Sequence, residues 1–246
     1  STMGVNKTGT GTLTITGNVY GGSASVAYGV YHNSTATTVI NGNCYGGSGA
    51  NAVGAYNNIS GTLTLSGSTY GSDTGSTGYG FRNNSSGTTT VSGSVYAGAA
   101  AVGGLAASTG AVTITGSVYA AGSVVGLIHQ GSTNNVTVGG NAVGGTAITA
   151  YGVSCTSTGS VTITGAAISA DAPGLGAGVG VTGTGYAIIG SAQTGTGGAS
   201  PCVGHVHVAD LSTFTALVRS SASSVTLSAE VGLPSPFEPS PVFGGA

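Results

Sequence analysis

Residues 12–22 read TLTITGNVYGG, and residues 62–72 read TLTLSGSTYGS. A chain that returns to itself at a fixed period is held to an architecture in which each unit packs on copies of itself. Aligning on one glycine extends the repeat to Gly17, Gly42, Gly67, Gly93, Gly116, Gly140, Gly165 and Gly190, at spacings of 25, 25, 26, 23, 24, 25 and 25 residues. Two positions before it stand Ile15, Ile40, Leu65, Val91, Ile114, Val138, Ile163 and Ile188, all apolar. Four before it stand Leu13, Thr38, Leu63, Thr89, Val112, Val136, Val161 and Tyr186, and the residues between are mostly Thr or Ser. That alternation has the period of two of a half-buried strand. The expectation is an all-β, single-domain parallel β-helix (β-solenoid). It has about eight coils of roughly 25 residues, which at about 4.8 Å per coil make a rod about 38 Å long.

Composition agrees with a packed solenoid and excludes its rivals. The 49 glycines of the 246 residues and the 3% of charged residues suggest a linker, but 39% of the chain is hydrophobic, which a disordered segment lacks. Glycine does not recur at every third residue, so collagen is excluded. A net charge of −2 from three basic and five acidic residues cannot supply the basic stripe that nucleic acid requires. No stretch has the length and apolarity of a membrane-spanning helix. The opening residues carry no charged-then-apolar leader, so any targeting segment is expected to have been removed or never to have existed.

Three positions after the repeat glycine, a second column reads Tyr20, Tyr45, Tyr70, Tyr96 and Tyr119, then Val143, Ile168 and Gln193. Stacked coils place these tyrosines in one ladder. If the glycine bends the strand and resets its phase, the ladder points into the core, and this inward orientation is the favoured one. About ten residues later a second motif recurs as AYGVYHN, AVGAYNN, GYGFRNN and AYGVSCT, giving each coil a further strand with a glycine of its own. Between the motifs lie turn-forming polar stretches, where asparagine ladders are expected at the corners. Six Asn-X-Ser/Thr sequons, at Asn6, Asn33, Asn58, Asn83, Asn84 and Asn135, are better explained by those corners than by glycans.

The repeat covers residues 1–193. An atypical capping region is expected over 194–231 and an extended Pro-rich tail over 232–246, where four prolines accompany Phe237 and Phe243. Cys44, Cys155 and Cys202 form no CxxC pair, and Cys44 stands in a column that elsewhere holds residues such as Val and Thr, so it reads as a small core residue.

The units TLTITGNVYGG and AYGVYHN resemble the Gly/Thr/Asn-rich repeats of β-helical phage fibre and spike proteins and of bacterial surface proteins. The resemblance implies a rigid, exposed element, usually homotrimeric or otherwise assembled, some relatives of which bind or cleave polysaccharide. It also implies a role for the HVH of His205 and His207. In some spike tips such a pair at a trimer axis holds a metal, so these two histidines are the candidate metal ligands; no other cofactor is expected.

Enzymatic candidates are few. Glycosidic cleavage needs carboxylates at a defined separation. Only Asp73, Asp171, Asp210, Glu230 and Glu238 are present, and the first two lie four coils, or about 19 Å, apart. The outward pairs Thr14/Thr16, Thr113/Thr115 and Thr162/Thr164 line one face and resemble the ice-binding arrays of β-helical antifreeze proteins, although Val39/Asn41 and Thr137/Gly139 interrupt the array.

The leading expectation is therefore a non-enzymatic structural or adhesive rod, extracellular or on a virion surface. It self-assembles, or docks on a carrier protein of the virion or cell surface, through its C-terminal region, with Phe237 and Phe243 as tail anchors. A glycan-binding or ice-binding β-helix is the alternative, and a polysaccharide-degrading spike comes third. No nucleic-acid partner and no membrane span are expected.

Overall fold

The structure, a computed structural model, describes residues 2–208 apart from 75–77, 131–134, 148, 157, 170–175, 194–201 and 205. Every regular element among them is a strand, and every strand pairs in parallel with its counterpart in the next coil, 23–26 residues away except for the last pair, which is 19 apart. The chain is the expected β-solenoid.

Two sheets run along the stack. The first has nine strands: Thr2–Lys7, Val26–His32, Asn51–Asn57, Tyr79–Asn83, Gly104–Ala106, Leu127–His129, Val153–Cys155, Val179–Val181 and Cys202–Val203. In each coil of the second sheet the chain makes a longer strand such as Leu13–Thr16, turns at the repeat glycine, and adds a two-residue strand such as Val19–Tyr20. The two pieces merge in Ser160–Ile168 and Tyr186–Gln193. About seven coils are regular.

The repeat glycine is required by close approach. A Cβ on Gly42 would lie 2.2 Å from the carbonyl oxygen of Gly17, and one on Gly93 would lie 2.6 Å from the carbonyl carbon of Gly67. The second motif's glycine serves a different contact. A Cβ on Gly54 would meet the carbonyl oxygen of Tyr45 at 2.8 Å, and one on Gly80 that of Tyr70 at 2.8 Å. At this column the first sheet presses against the two-residue strands, leaving no room for a side chain.

The core is one continuous cluster. The second sheet contributes Leu63, Leu65, Val91, Val112, Ile114, Val136, Val138, Val161 and Ile163, and the short strands contribute Val19, Cys44, Val95, Val118, Ala142 and Ala167. From the first sheet comes the inward column Val30, Ala55, Phe81, Gly104, Leu127, Val153 and Val179. Each fully buried Val, Leu or Ile contributes about 1.5–3 kcal/mol. Phe81 fits because its neighbours are small: its ring occupies the space a Gly104 side chain would fill, with Cε1 2.1 Å from that Cβ position.

The last repeat departs from the sequence alignment. Val161 pairs with Ala187 and Ile163 with Ile189, a shift of one residue from the glycine-based alignment, and a bulge follows before Ala166 pairs with Ser191. A one-residue slip exchanges the faces of a strand. Ala187 and Ile189 therefore enter the core, Ile188 lies half-exposed, and Tyr186 faces solvent at 39% exposure. Ile188 and Tyr186 are not the core residues that the alignment on Gly190 suggested. Parallel pairing continues into the region expected to be a cap: Cys202–Val203 joins the first sheet and Val206–Val208 the second.

Candidate functional site

The tyrosine ladder points outward, which corrects the expected inward packing. Tyr20 is 62% exposed, and Tyr45, Tyr70, Tyr96 and Tyr119 are half-buried. The phase is not reset at the glycine. Residues two before and two after it, Ile40 and Cys44 for example, both face inward, so the residue three after must face out. The signal was present in the sequence, since the column Val19, Cys44, Thr69, Val95, Val118, Ala142 and Ala167 is the small or apolar one. The rings stack face to face, with centroids 4.8–4.9 Å apart and planes within 10° of each other. Stacking uses up the ring faces, so the ladder offers solvent mainly edges and hydroxyls.

Beside the ladder runs a file of hydrogen bonds from coil to coil. The side chain of Asn18 accepts from Asn43 N at 3.0 Å, that of Asn43 from Ser68 N at 2.9 Å, and that of Ser68 from Ser94 N at 3.0 Å. Ser94, Ser117 and Asn141 continue the file to Ala166 N at 2.8–3.1 Å. Asn43 Nδ2 also donates to the Tyr45 hydroxyl at 3.3 Å, tying the file to the ladder. Alanine at 166 has no acceptor to offer, and the register slip occurs at that level. A second asparagine contact, Asn58 Nδ2 to Asn33 Oδ1 at 3.0 Å, lies on another corner.

The threonine face also points outward. Thr14, Val39, Thr64, Thr90, Thr113, Thr137 and Thr162 form one row in successive coils. Thr14, Thr16, Thr113, Thr115 and Thr164 are exposed and Thr162 is half-buried. Val39 and Asn41 interrupt this face, and Ser66 Oγ donates to Asn41 Oδ1 at 3.0 Å.

Sequence reading missed an interior polar column. Lys7, His32, Asn57, Asn83, Ala106, His129 and Cys155 pair in register at the end of the first sheet, and all are buried. These side chains close the corners from within. Asn57 Nδ2 donates to Gly61 O at 3.2 Å and to Thr89 Oγ1 at 3.3 Å; Asn83 Nδ2 donates to Gly87 O at 3.1 Å, and its Oδ1 accepts from Ser85 Oγ at 2.8 Å. His32 Nδ1 lies 2.8 Å from Thr38 Oγ1, and Lys7 Nζ donates to Gly9 O. Burial, then the Lys7 charge, lowers the His32 pKa, partly opposed by the main chain of Ser34 and Ala36. This column explains why Thr38 and Thr89 stand among apolar residues: each gives a buried polar side chain a partner.

The outer surface of the first sheet carries a second aromatic group. Tyr31, Tyr56 and Arg82 occupy one column in successive coils. Tyr28 stacks on Tyr56 at 5.2 Å, and Tyr31 is tilted against both, at 5.0 Å from Tyr28 and 5.3 Å from Tyr56. The Arg82 guanidinium lies 5.3 Å from the centre of the Tyr56 ring, within cation–π range. Arg82 Nε is buried without a hydrogen-bond partner. Burial raises the Tyr28 pKa, as does Tyr56, while the Arg82 charge opposes the shift.

The remaining candidates are dispersed. Of the five carboxylates only Asp73 is among the described residues; it is exposed and accepts from Ala99 N at 2.9 Å. Burial pushes the thiols of Cys44 and Cys202 up to about 12, which leaves them protonated and unreactive. The main chain of His207 pairs with Ile188, whereas His205, Phe237 and Phe243 lie outside the described residues. Among the described residues no three His, Cys, Asp or Glu side chains are grouped to hold a metal, and no helix is long and apolar enough to cross a membrane. No family model, curated protein or solved structure matches the chain.

Proposed function

We propose that the chain is a non-enzymatic structural or adhesive rod, displayed on a cell or virion exterior and docked or self-assembled through its C-terminal region. The observation that carries this reading is the register held from coil to coil up to the slip before Ala166. One core runs through the stack, with a tyrosine ladder from Tyr20 to Tyr119 and a file of Asn and Ser side chains from Asn18 to Asn141, so load along the axis is shared by parallel main-chain bonds and stacked side chains. A surface of Gly, Ser, Thr and Tyr with almost no charge favours close lateral contact, because little like-charge repulsion opposes it.

The decisive experiment compares the full chain with a variant lacking residues 232–246 by electron microscopy and analytical ultracentrifugation. Rods or regular oligomers that dissociate on tail removal are expected. An unchanged assembly would sink the docking role, and release of reducing sugar from polysaccharide by the purified rod would move the protein into the spike-enzyme class. The outward threonine row supports an ice-binding alternative, which thermal hysteresis tests. Stacking of the tyrosine rings argues against the ladder as a platform for sugar rings, since ring faces are what such ligands need.

A further inference from the structure

The proposed docking role of the tail leaves open what receives it, and the outer face of the first sheet has the matching chemistry. Arg82 is one of three basic residues in the protein. Its guanidinium lies against Tyr56, half-buried, and its Nε has no hydrogen-bond partner. Around it, Tyr28 and Tyr31 are half-buried and pack at 5.0–5.3 Å on each other and on Tyr56, which is itself buried at 7% exposure. Tyr79 is half-buried in the neighbouring column, aligned with Val53. Because Tyr28 and Tyr56 stack on each other and Arg82 covers Tyr56, few ring faces remain for a sugar. What remains is a half-buried aromatic surface of ring edges, with the Arg82 guanidinium at its end, whose Nε has no hydrogen-bond partner among the described residues.

Pro-rich segments recognised in the polyproline conformation seat their prolines against aromatic side chains, and an adjacent charge fixes their direction. The chain contains one such segment. Residues 234–238 read PSPFE and residues 239–243 read PSPVF, two five-residue units that each open with PSP and contain a phenylalanine, and the first ends in a carboxylate. At about 3.1 Å per residue one unit spans about 15 Å, close to the height of three coils at about 4.8 Å each. The aromatic group with Arg82 occupies the three successive coils that contain Val26–His32, Asn51–Asn57 and Tyr79–Asn83.

We propose that the Tyr28, Tyr31, Tyr56 and Arg82 face is the receptor for the chain's own Pro-rich tail. Pro234 and Pro236 lie between tyrosine edges, Phe237 packs on the group, and the Glu238 carboxylate pairs with the Arg82 guanidinium. This site rests on the reading of the tail as a docking element.

The test is a charge exchange in the full-length protein, with chymotryptic cleavage after Phe237 measured by mass spectrometry under native conditions and each rate divided by that of a free peptide carrying the same variant's residues 232–246. Arg82→Glu and Glu238→Arg should each speed cleavage roughly three- to tenfold, the loss expected for a partly desolvated guanidinium–carboxylate pair. The double exchange should return the rate to near that of the wild type. Glu238→Arg leaves the solenoid sequence untouched, so its effect does not depend on how the rod tolerates a change at 82. Cleavage indifferent to Glu238→Arg, or a double variant as fast as the singles, overturns the site. So does saturable binding of polygalacturonate that Arg82→Glu abolishes while cleavage stays constant, an outcome that makes the face a glycan site. Assembly lost on tail deletion but indifferent to the charge exchange would refute this receptor alone and leave the tail's docking role standing.

Discussion

Phe81 offers the most searching test of how the coils fit together. Its ring is fully buried between Ala55 in one neighbouring coil and Gly104 in the other. A Cβ on Gly104 would lie 2.1 Å from Phe81 Cε1. Gly104→Ala should therefore cost about 1–3 kcal/mol through overpacking, offset in part by the roughly 0.5–1 kcal/mol that alanine gains over glycine in a strand. Phe81→Leu removes the clashing edge of the ring and costs about 1–2 kcal/mol on its own. If the two residues share one volume, the double variant should be about 1–2 kcal/mol more stable than the sum of the single losses. A stacked protein need not unfold in one step, so the assay is native-state amide exchange in the coils holding residues 79–106, supported by urea titration. Additivity within about 0.5 kcal/mol would refute the shared-volume argument. The pair Gly104→Ala and Ile163→Val, on separate coils, should be additive and serves as the control.

Four further outcomes follow from the same geometry. Gly54→Ala, whose Cβ would meet Gly80 O at 2.6 Å, should lower the urea midpoint markedly, whereas Gly11→Ala, with nothing within 4 Å, should be neutral or stabilising by about 0.4–1 kcal/mol. Asn43→Ala removes the acceptor of Ser68 N and should cost about 1 kcal/mol, with faster exchange of the Ser68 amide. Because the His32 pKa is lowered in the fold, the unfolded chain takes up a proton first as pH falls. Stability should thus be full above the ordinary histidine value near 6.5 and decline below it, and His32→Asn should flatten that decline in urea titrations at stepped pH. Cys44 and Cys202, buried and with thiols near 12, should react with a thiol reagent only as fast as their coils open, so labelling under native conditions should be far slower than in urea.

Much of this fold was legible in the sequence because a solenoid writes its geometry as a period. The glycine column set the coil length, and the Ile, Leu and Val column two positions before it set one core face, since neighbours in the stack are also neighbours in the alignment. Cys44 could be placed in the core from its column alone. The tyrosine ladder points outward because the glycine does not reset the phase of the strand, and the small column beside it in the sequence already marks the inward positions. Periodicity also could not reveal the slip at Ala166. A glycine at 190 and an isoleucine at 188 satisfy the pattern whichever face they occupy, and only burial distinguishes Ile188 from Ile189.

The candidate surfaces divide in the same way. That Thr14, Thr113 and Thr162 share a face follows from alternation within a strand, a local property. The interior column of His32, Asn57 and Asn83 does not, because those residues stand in polar corner segments that read as solvated turns. Asn57 and Asn83 are buried where the carbonyls of Gly61 and Gly87 turn inward and their side-chain amides donate to them, whereas His32 meets the Thr38 hydroxyl. The Tyr56–Arg82 contact is likewise a product of stacking: the residues are 26 positions apart in a chain with almost no charge, and register alone brings the guanidinium over the ring. By itself the sequence determined the coil, its period and most of its core. Tertiary structure decided which ladder faces water and which polar groups meet inside, because both depend on how one coil sits on the next.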